Sequence, residues 1–586
     1  MSTQENGGAI IAAALVRAGV RHLFTLCGGH ISPILVECKR HGLKVVDMRD
    51  EGNAVFAADA VARMTGVPGV AAVTAGPGVT NCVTALKNAQ MAQSPILLVG
   101  GATATLLKGR GSLQDIDQLS LMRPLTKWAT RVTTLNNLGP TVERALEVAR
   151  SGVPGPVFVE VPVDLLYTEV TVREWYVRET GVRNAKGLGA RALGLYLEGH
   201  LLRQFHAPRV PAVIDVSAPS IHLPQLRKLR PRVNGVAARL ARARRPVMVI
   251  GSQALVNCKD PDRIARAVRA LGVPTFLGGM ARGLLGRNDP LQFRHARGKA
   301  LAEADLVIIA GFPFDFRLGY GRGIGRKAFL VAANLSGSEL RKNRRPQVAL
   351  RMHPGELIVE LAAQAGDGGR GWTDWLGSLR EREAARDAEI AREAKTPGEL
   401  VNPLELFLRL EEKMDDDAAL VVDGGDFVST AAYTLRPRAP LAWLDPGVFG
   451  TLGVGGGFAA GAALVKPGRE VWLIYGDGSS AYSLAEFDTF ARHGLAPIAV
   501  IGNDGSWQQI AREQVELLGD DVGTVLPRCD YHKVAEGYGG AGLLLTDGAR
   551  IDETLDRAKA LSLAGKPVCI NVHIRRSDFR KGSISM

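Results

Sequence analysis

The sequence predicts an α/β protein made of three consecutive doubly wound parallel-sheet domains. Three observations predict it. Short apolar runs alternate with helix-like segments over most of the chain, the pattern of a parallel sheet covered on both faces. Several of these runs end in a glycine turn that opens a helix, where open α/β sheets bind ligands. The length, 586 residues, holds about three to five domains at roughly 100–200 residues each.

Taken in order, residues 10–18 read as an amphipathic helix and 22–26 as a strand, followed by Gly28-Gly29. Residues 43–47 form a second strand, and 53–64 an Ala-rich helix. A strand over 70–74 runs through Ala75-Gly76-Pro77-Gly78 into a helix over 79–90. Strands at 96–99 and 157–161 complete the first unit, residues 1–170. Residues 171–230 read as a basic connector rich in Arg, Leu and Pro, with a helix near 190–205 and the Pro-containing stretch 207–211. A second unit, 231–370, has strands at 246–250, 275–277, 306–310 and 328–331, and a charged helical linker covers 371–397. The third unit, 398–586, has strands at 420–422, 471–475, 498–501 and 568–572.

Composition narrows the function classes. Hydrophobic residues make up 46% and charged residues 22%, which is globular rather than disordered. The longest weakly polar run, 452–465, is too short and too glycine-rich for a membrane span. The N-terminus shows no basic segment leading into an apolar one, so no secretory signal is expected. Six scattered cysteines without a CxxC pair fit reduced thiols and a cytoplasmic location. The net charge of +13 raises a nucleic-acid partner, but no RNA-binding aromatic motif or zinc finger is present and none is expected. Attraction of anionic small molecules such as phosphates, carboxylates or coenzyme A is the other reading of the charge.

The strongest local motif is Gly476-Asp477-Gly478-Ser479-Ser480, followed one strand later by Asn503-Asp504-Gly505. Asp477 offers a carboxylate oxygen, Asn503 an amide oxygen and Gly505 a backbone carbonyl. With two phosphate oxygens and a water these make the octahedral oxygen set that Mg²⁺ prefers. Gly478 and Ser479 can offer N–H groups to a phosphate at a helix start. Each turn alone is an ordinary strand-to-helix connection; the pairing is the signal. Glu51 alone reads as a first-turn acid favoured by the helix dipole. The glycine-rich stretch 447–457 reads either as tight entry to a close-packed helix or as backbone laid against a flat aromatic cofactor.

Together these pieces resemble the thiamine diphosphate-dependent enzymes of the acetolactate synthase, pyruvate decarboxylase and 2-hydroxyacyl-CoA lyase superfamily. The resemblance covers nearly the whole chain, in the order pyrimidine-binding, central and diphosphate-binding domain. It is greatest to the acetolactate-synthase-like proteins grouped with 2-hydroxyacyl-CoA lyases. The segments that carry it include residues 28–33, 88–95, 276–288, 315–322 and 578–584. The resemblance implies thiamine diphosphate and Mg²⁺, with FAD or ADP left open for the central domain. It implies that Glu51 hydrogen-bonds the aminopyrimidine N1′, that the Gly450 carbonyl receives the 4′-amino group, and that Leu452 wedges the cofactor into a bent shape. It places the metal on Asp477, Asn503 and Gly505, and further diphosphate contacts on Gly425, Gly478, Ser479 and Ser506. Gln114 falls on an active-site glutamine of the synthases, and His30 follows a glycine pair, Gly28-Gly29, that faces the cofactor in relatives; Gly29, His30 and Gln114 are therefore expected among the substrate contacts.

The departures also point somewhere. Asp50, not His, precedes Glu51, and Leu113 replaces the phenylalanine before Gln114. Arg512 stands where the synthases carry the Trp that helps choose the second 2-oxo acid, and Trp507 and Gln509 are further expected substrate contacts. The Asn-Gly-Ile-Tyr signature of the usual CoA lyases is absent, and only a short tail follows Ile574. The resemblance implies cleavage of a 2-hydroxyacyl-CoA to an aldehyde and formyl-CoA, with acetolactate synthase-type carboligation of 2-oxo acids as the alternative. It further implies a homodimer or homotetramer, because Glu51 and Asp477 meet across a subunit interface in this family.

Overall fold

The computed structural model describes residues 6–181, 187–206, 223–365 and 371–581. Contacts divide the chain into two compact units, residues 1–62 with 67–218, and residues 63–66 with 219–586.

The first unit holds one six-stranded sheet. Its strands are β1 (His22–Thr25), β2 (Lys44–Asp47), β3 (Gly69–Val73), β4 (Ile96–Ala102), β5 (Trp128–Arg131) and β6 (Val157–Pro162), in the order β2-β1-β3-β4-β6-β5, all parallel. Every residue of β3, β4 and β6 is buried, as a strand covered on both faces requires. Helix Gly7–Arg17 starts where the Asn6 side chain accepts the Ala9 N–H at 2.9 Å, and it packs with helices Ser32–Arg40 and Leu135–Arg150 on one face. The helix expected over 79–90 is two, Pro77–Thr80 and Val83–Ala92, interrupted at Asn81 and Cys82.

The stretch read as a connector is only partly one. Helices Glu169–Thr180 and Leu188–His206 bury Val172, Tyr176, Leu197, Leu201 and Phe205 in a common cluster with Leu106, Leu135 and Tyr167 of the first unit. Under that cluster the buried Asp164 carboxylate accepts from the Thr105 N–H and hydroxyl, the Tyr176 hydroxyl and the Gln204 amide. Residues 207–211 lie outside the described residues, as do 582–584 at the C-terminal end of the last resemblance segment.

The second unit holds two more sheets. One contains β7 (Pro246–Ile250), β8 (Thr275–Leu277), β9 (Gln292–Phe293), β10 (Leu306–Ala310), β11 (Phe329–Ala333) and β12 (Val348–Leu350), ordered β12-β11-β10-β7-β8-β9. The other contains β13 (Ala419–Val422), β14 (Trp443–Leu444), β15 (Val471–Gly476), β16 (Ile498–Asn503), β17 (Ala541–Leu545) and β18 (Val568–His573), ordered β14-β13-β15-β16-β18-β17. Both are wholly parallel. Each sheet reverses its strand order near the middle, so all three are doubly wound. Pro231, read as the start of the central unit, lies inside helix Leu223–Leu240. The charged linker is the 22-residue helix Thr373–Ala394, and it is not free. Trp372 just before it and Trp375 and Leu379 within it are buried in the central sheet's core, and both indole N–H groups donate to carbonyls beside that sheet. The tally of expected strands leaves out β5, β9, β12, β14 and β17, each at the edge of its sheet.

Candidate active site

In the first unit, the expected residues follow β1 (Gly29, His30), β2 (Glu51) and β4 (Gln114), around the turn that follows β3. Glu51 opens helix Glu51–Thr65 and is buried. One carboxylate oxygen accepts from the Asn81 amide at 3.0 Å. The other lies 3.4 Å from where a Cβ on Gly78 would stand, so the 76–78 turn passes directly over the acid. Gly76 has φ +62 and a side chain there would meet Gln114, whose own backbone is left-handed at φ +65. Gln114 therefore sits against the same turn as Glu51. His30 lies 3.2 Å from the Thr74 hydroxyl through Nδ1, and burial holds its pKa below the ordinary value. A side chain on Gly28 would strike Thr74, whereas Gly29 is exposed with open space around it.

Two residues of this cluster escape a reading of the sequence. Asn81 fixes the Glu51 carboxylate. Gln118 is buried; its oxygen accepts the Gly76 N–H at 2.8 Å, and its amide donates to the Gly101 carbonyl and to Glu160. The glycine turn and Gln118 are linked only through the tertiary fold.

In the second unit, Asp477 and Asn503 stand at the carboxyl ends of neighbouring strands β15 and β16. Asp477 is buried. One oxygen accepts from the Gly478 N–H at 2.8 Å, and the other from the Gly505 and Ser506 N–H groups at 2.9 and 3.2 Å. Burial raises its pKa, against the pull of these N–H groups. Asn503 is fully buried, and its amide nitrogen donates to the Cys529 carbonyl at 3.2 Å and the Asn571 side-chain oxygen at 3.1 Å. Those two acceptors fix which way the amide points. Among the described residues its Oδ1 is left buried with no hydrogen-bond partner, which a native protein rarely tolerates without an ion or ligand. The Ser506 hydroxyl is likewise buried without a partner among the described residues. An anionic oxygen beside an unsatisfied neutral amide oxygen is a hard, oxygen-only donor set, and it fits Mg²⁺. The Gly505 carbonyl is not free, since it accepts from the Leu526 N–H at 2.9 Å; one lone pair remains.

The adjoining turns explain the glycines. A Cβ on Gly478 would come within 2.5 Å of the Trp507 indole, so only glycine lets that ring lie over the Asp477 turn. Gly425, at φ +115, precedes helix Asp426–Thr434 and has open space in front of it. A Cβ on its neighbour Gly424 would lie 2.2 Å from the Leu452 side chain, which places Leu452 over that turn. Gly450 has φ +66 and is exposed. Asp423, missed in the sequence, is buried and clamps the 452–455 loop by accepting the Gly453 and Gly455 N–H groups at 3.0 and 2.7 Å. Burial pushes its pKa up to about 7. Ser479 turns its hydroxyl back onto Gly476, accepting that residue's N–H at 3.0 Å.

A cavity of about 930 Å³ joins these residues. Its walls include Gly425, Gly450, Leu452, Asp477, Gly478, Ser479, Ser506, Trp507 and Gln509, and it extends to Arg282, Arg297, Arg317 and Phe316 beside the central sheet. Arg282 donates to the Ala432 carbonyl at 2.6 Å and lies over the Trp443 ring; Arg297 donates to the Arg317 carbonyl at 2.5 Å. Burial lowers the pKa of both. Arg317 pairs with Asp315 at 2.6 Å. Arg512, at the position that departs from the synthases, does not line this cavity; it pairs with Asp426 at 2.9 Å and donates to the Ser577 carbonyl at 3.2 Å.

The chain belongs to the thiamine pyrophosphate enzyme family, a class of cofactor-dependent enzymes. The family's N-terminal TPP binding domain matches residues 5–121, its central domain 233–361 and its C-terminal TPP binding domain 423–572. Among curated proteins, the chain is 48% identical to 2-hydroxyacyl-CoA lyase 2 of Danio rerio, over 99% of this chain and 93% of that protein. It is 48% identical to 2-hydroxyacyl-CoA lyase 2 of Homo sapiens, over 99% of this chain and 92% of that one. A Mycobacterium bovis protein named "Probable acetolactate synthase" is 34% identical over 97% and 95%.

Proposed function

We propose that the protein is a thiamine diphosphate- and Mg²⁺-dependent lyase that cleaves 2-hydroxyacyl-CoA to an aldehyde and formyl-CoA. The observation that carries this reading is the near full-length identity to lyases of that name, at a level well above that to the synthase. The cavity supports it. Arginines held by backbone carbonyls suit the phosphates of a coenzyme A nucleotide, and the basic chain would draw such an anion in.

In this reading Asp477, Asn503 and the Gly505 carbonyl hold the metal. Gly425, Gly478, Ser479 and Ser506 meet the diphosphate. Leu452 and the Gly450 carbonyl shape the pocket between. When bound, thiamine diphosphate supplies a carbon nucleophile and a sink for the electron pair released as the C–C bond breaks. Glu51 holds a proton against the cofactor's pyrimidine nitrogen, and Asn81 keeps its carboxylate aimed. Trp507, Gln509, His30, Gly29 and Gln114 are placed as substrate contacts. Residues 1–170, 231–370 and 398–586 then serve as pyrimidine-binding, central and diphosphate-binding domains. Glu51 and Asp477 come together between subunits of a homodimer or homotetramer. Six free cysteines suit a reducing compartment such as the cytoplasm. FAD or ADP remains the other candidate for the arginine-lined end, and a yellow purified protein would favour flavin.

The test is incubation with Mg²⁺, with and without thiamine diphosphate, offering 2-hydroxyacyl-CoAs of several chain lengths and, separately, pyruvate. Cofactor-dependent formyl-CoA with the matching aldehyde is the expected result. Acetolactate from pyruvate without formyl-CoA from any acyl chain overturns it.

A further inference from the structure

Helix Leu188–His206 is apolar on two opposite sides. Leu197, Leu201, Gln204 and Phe205 are buried against the first unit. At 100° per residue, the reverse side carries Leu188, Ala192, Leu195, Gly199 and Leu202. Those three leucines are 85%, 74% and 55% exposed. Alternating steps of four and three put Leu188, Leu195 and Leu202 at one seam position and Ala192, Gly199 and His206 at the other, the pattern of a two-helix coiled coil. An amphipathic helix buries its apolar side, so a second apolar side is a second surface for burial.

The flanks say what covers it. Beside the seam, Arg191 and Glu198 lie on one edge, and Tyr196 and Arg203 on the other. When a second copy of the same helix lies parallel, each residue of the first edge meets the residue five further along on the partner's second edge. That sets Glu198 opposite Arg203, and Arg191 opposite the Tyr196 ring, twice each by symmetry. Glu198 already takes Arg173 of its own chain, which fixes its carboxylate at that edge. The leucine layers meet at 188, 195 and 202, and the small Ala192 and Gly199 let the backbones approach. We propose that this helix is a docking surface for a second copy of the chain, paired in parallel about a two-fold axis. One 19-residue helix buries on the order of 1,000 Å² when paired, at the low end for specific interfaces. The contact would then add to whatever interface the active site requires.

Cross-linking decides the matter, in full-length protein carrying Cys27→Ser and Cys529→Ser to remove the two exposed cysteines. Leu195→Cys should form an intermolecular disulfide on mild oxidation, because residue 195 faces itself only in the parallel pairing. Arg191→Cys, at the edge, should not. No link through Leu195→Cys overturns the proposal. Sedimentation of Leu195→Glu at matched concentration should show half the mass of the wild type, or an unchanged mass with the Leu195→Cys link intact if other interfaces suffice. Should Leu195→Cys fail to link while the wild type, and not Leu195→Glu, floats with vesicles of anionic phospholipid, the face covers a lipid surface instead.

Discussion

Arg512 offers the sharpest test of how the cavity wall beside Gly425 is built. Its guanidinium lies 2.9 Å from Asp426, and the two side chains are only 9% and 11% exposed. Asp426 lines the cavity next to Gly425, where the proposed function puts an anionic diphosphate. Arg512→Ala leaves that carboxylate buried and uncompensated. At an effective dielectric near 20, the lost attraction is about 4 kcal/mol at 4 Å. If half of that is felt by the incoming diphosphate, affinity falls by about 30-fold. Titration calorimetry of thiamine diphosphate in saturating Mg²⁺ reads this directly. The companion variant Asp426→Asn/Arg512→Ala removes the orphaned charge and should bind within about threefold of the wild type, in the spirit of a double-mutant cycle. If the double variant binds as weakly as Arg512→Ala, charge compensation is the wrong explanation and Arg512 acts by packing alone.

Three further outcomes are expected. Glu51→Gln should lower cofactor-dependent formyl-CoA release by at least about 100-fold, the usual scale for a proton-handling group, while calorimetric affinity for thiamine diphosphate changes far less. Gly424→Ala should fold, because the atom in its way is the tip of the Leu452 side chain, and should cost about tenfold or more in kcat through displacement of Leu452, visible as a kcat loss with little change in KM. Asp423→Asn tests a buried carboxyl whose pKa is raised to about 7. A raised pKa means the folded state holds the proton more tightly than the unfolded one, so this group's stabilising contribution is present near pH 4 and is lost as the pH climbs towards 7. The asparagine variant loses one acceptor and should melt below the wild type at pH 5, and the gap should narrow towards pH 8; a gap that widens with pH would contradict the assignment.

What could be read from the sequence follows the physics of a two-sided parallel sheet. Inner strands such as β4, β10 and β16 are buried along their whole length and stand out as apolar runs. Edge strands bond on one side only, and most are short. β9 and β14 have two residues each, and Trp128–Arg131 ends in Thr and Arg, so none of these rises above its surroundings. Lys44–Asp47 is the edge that was legible, through its Val45-Val46 pair. The same division runs through the site. Asp477 and Asn503 sit in paired turns with a recognisable local context, whereas Glu51 reads locally as an ordinary first-turn acid and stands out only through the family resemblance. Their supports have no such context: Asn81, Gln118 and Asn571 act on residues distant in sequence, and an isolated asparagine or glutamine carries no local mark of the partner it will find. Asp423 could have been found, since Asp423-Gly424-Gly425-Asp426 follows strand β13 directly, as the Gly476–Ser480 and Asn503–Gly505 turns follow theirs.

The Trp507 ring resting on Gly478 has a bearing on how this lineage can diverge. With the ring 2.5 Å from where a first side-chain carbon would go, any replacement of Gly478 collides with the indole as it stands. A smaller residue at 507 would have to be accepted first, and only then could position 478 vary. The two positions form an ordered pair in which one change is permissive and the other conditional. Substitution at 478 in a descendant chain should therefore be found together with loss of the tryptophan, and the reverse need not hold.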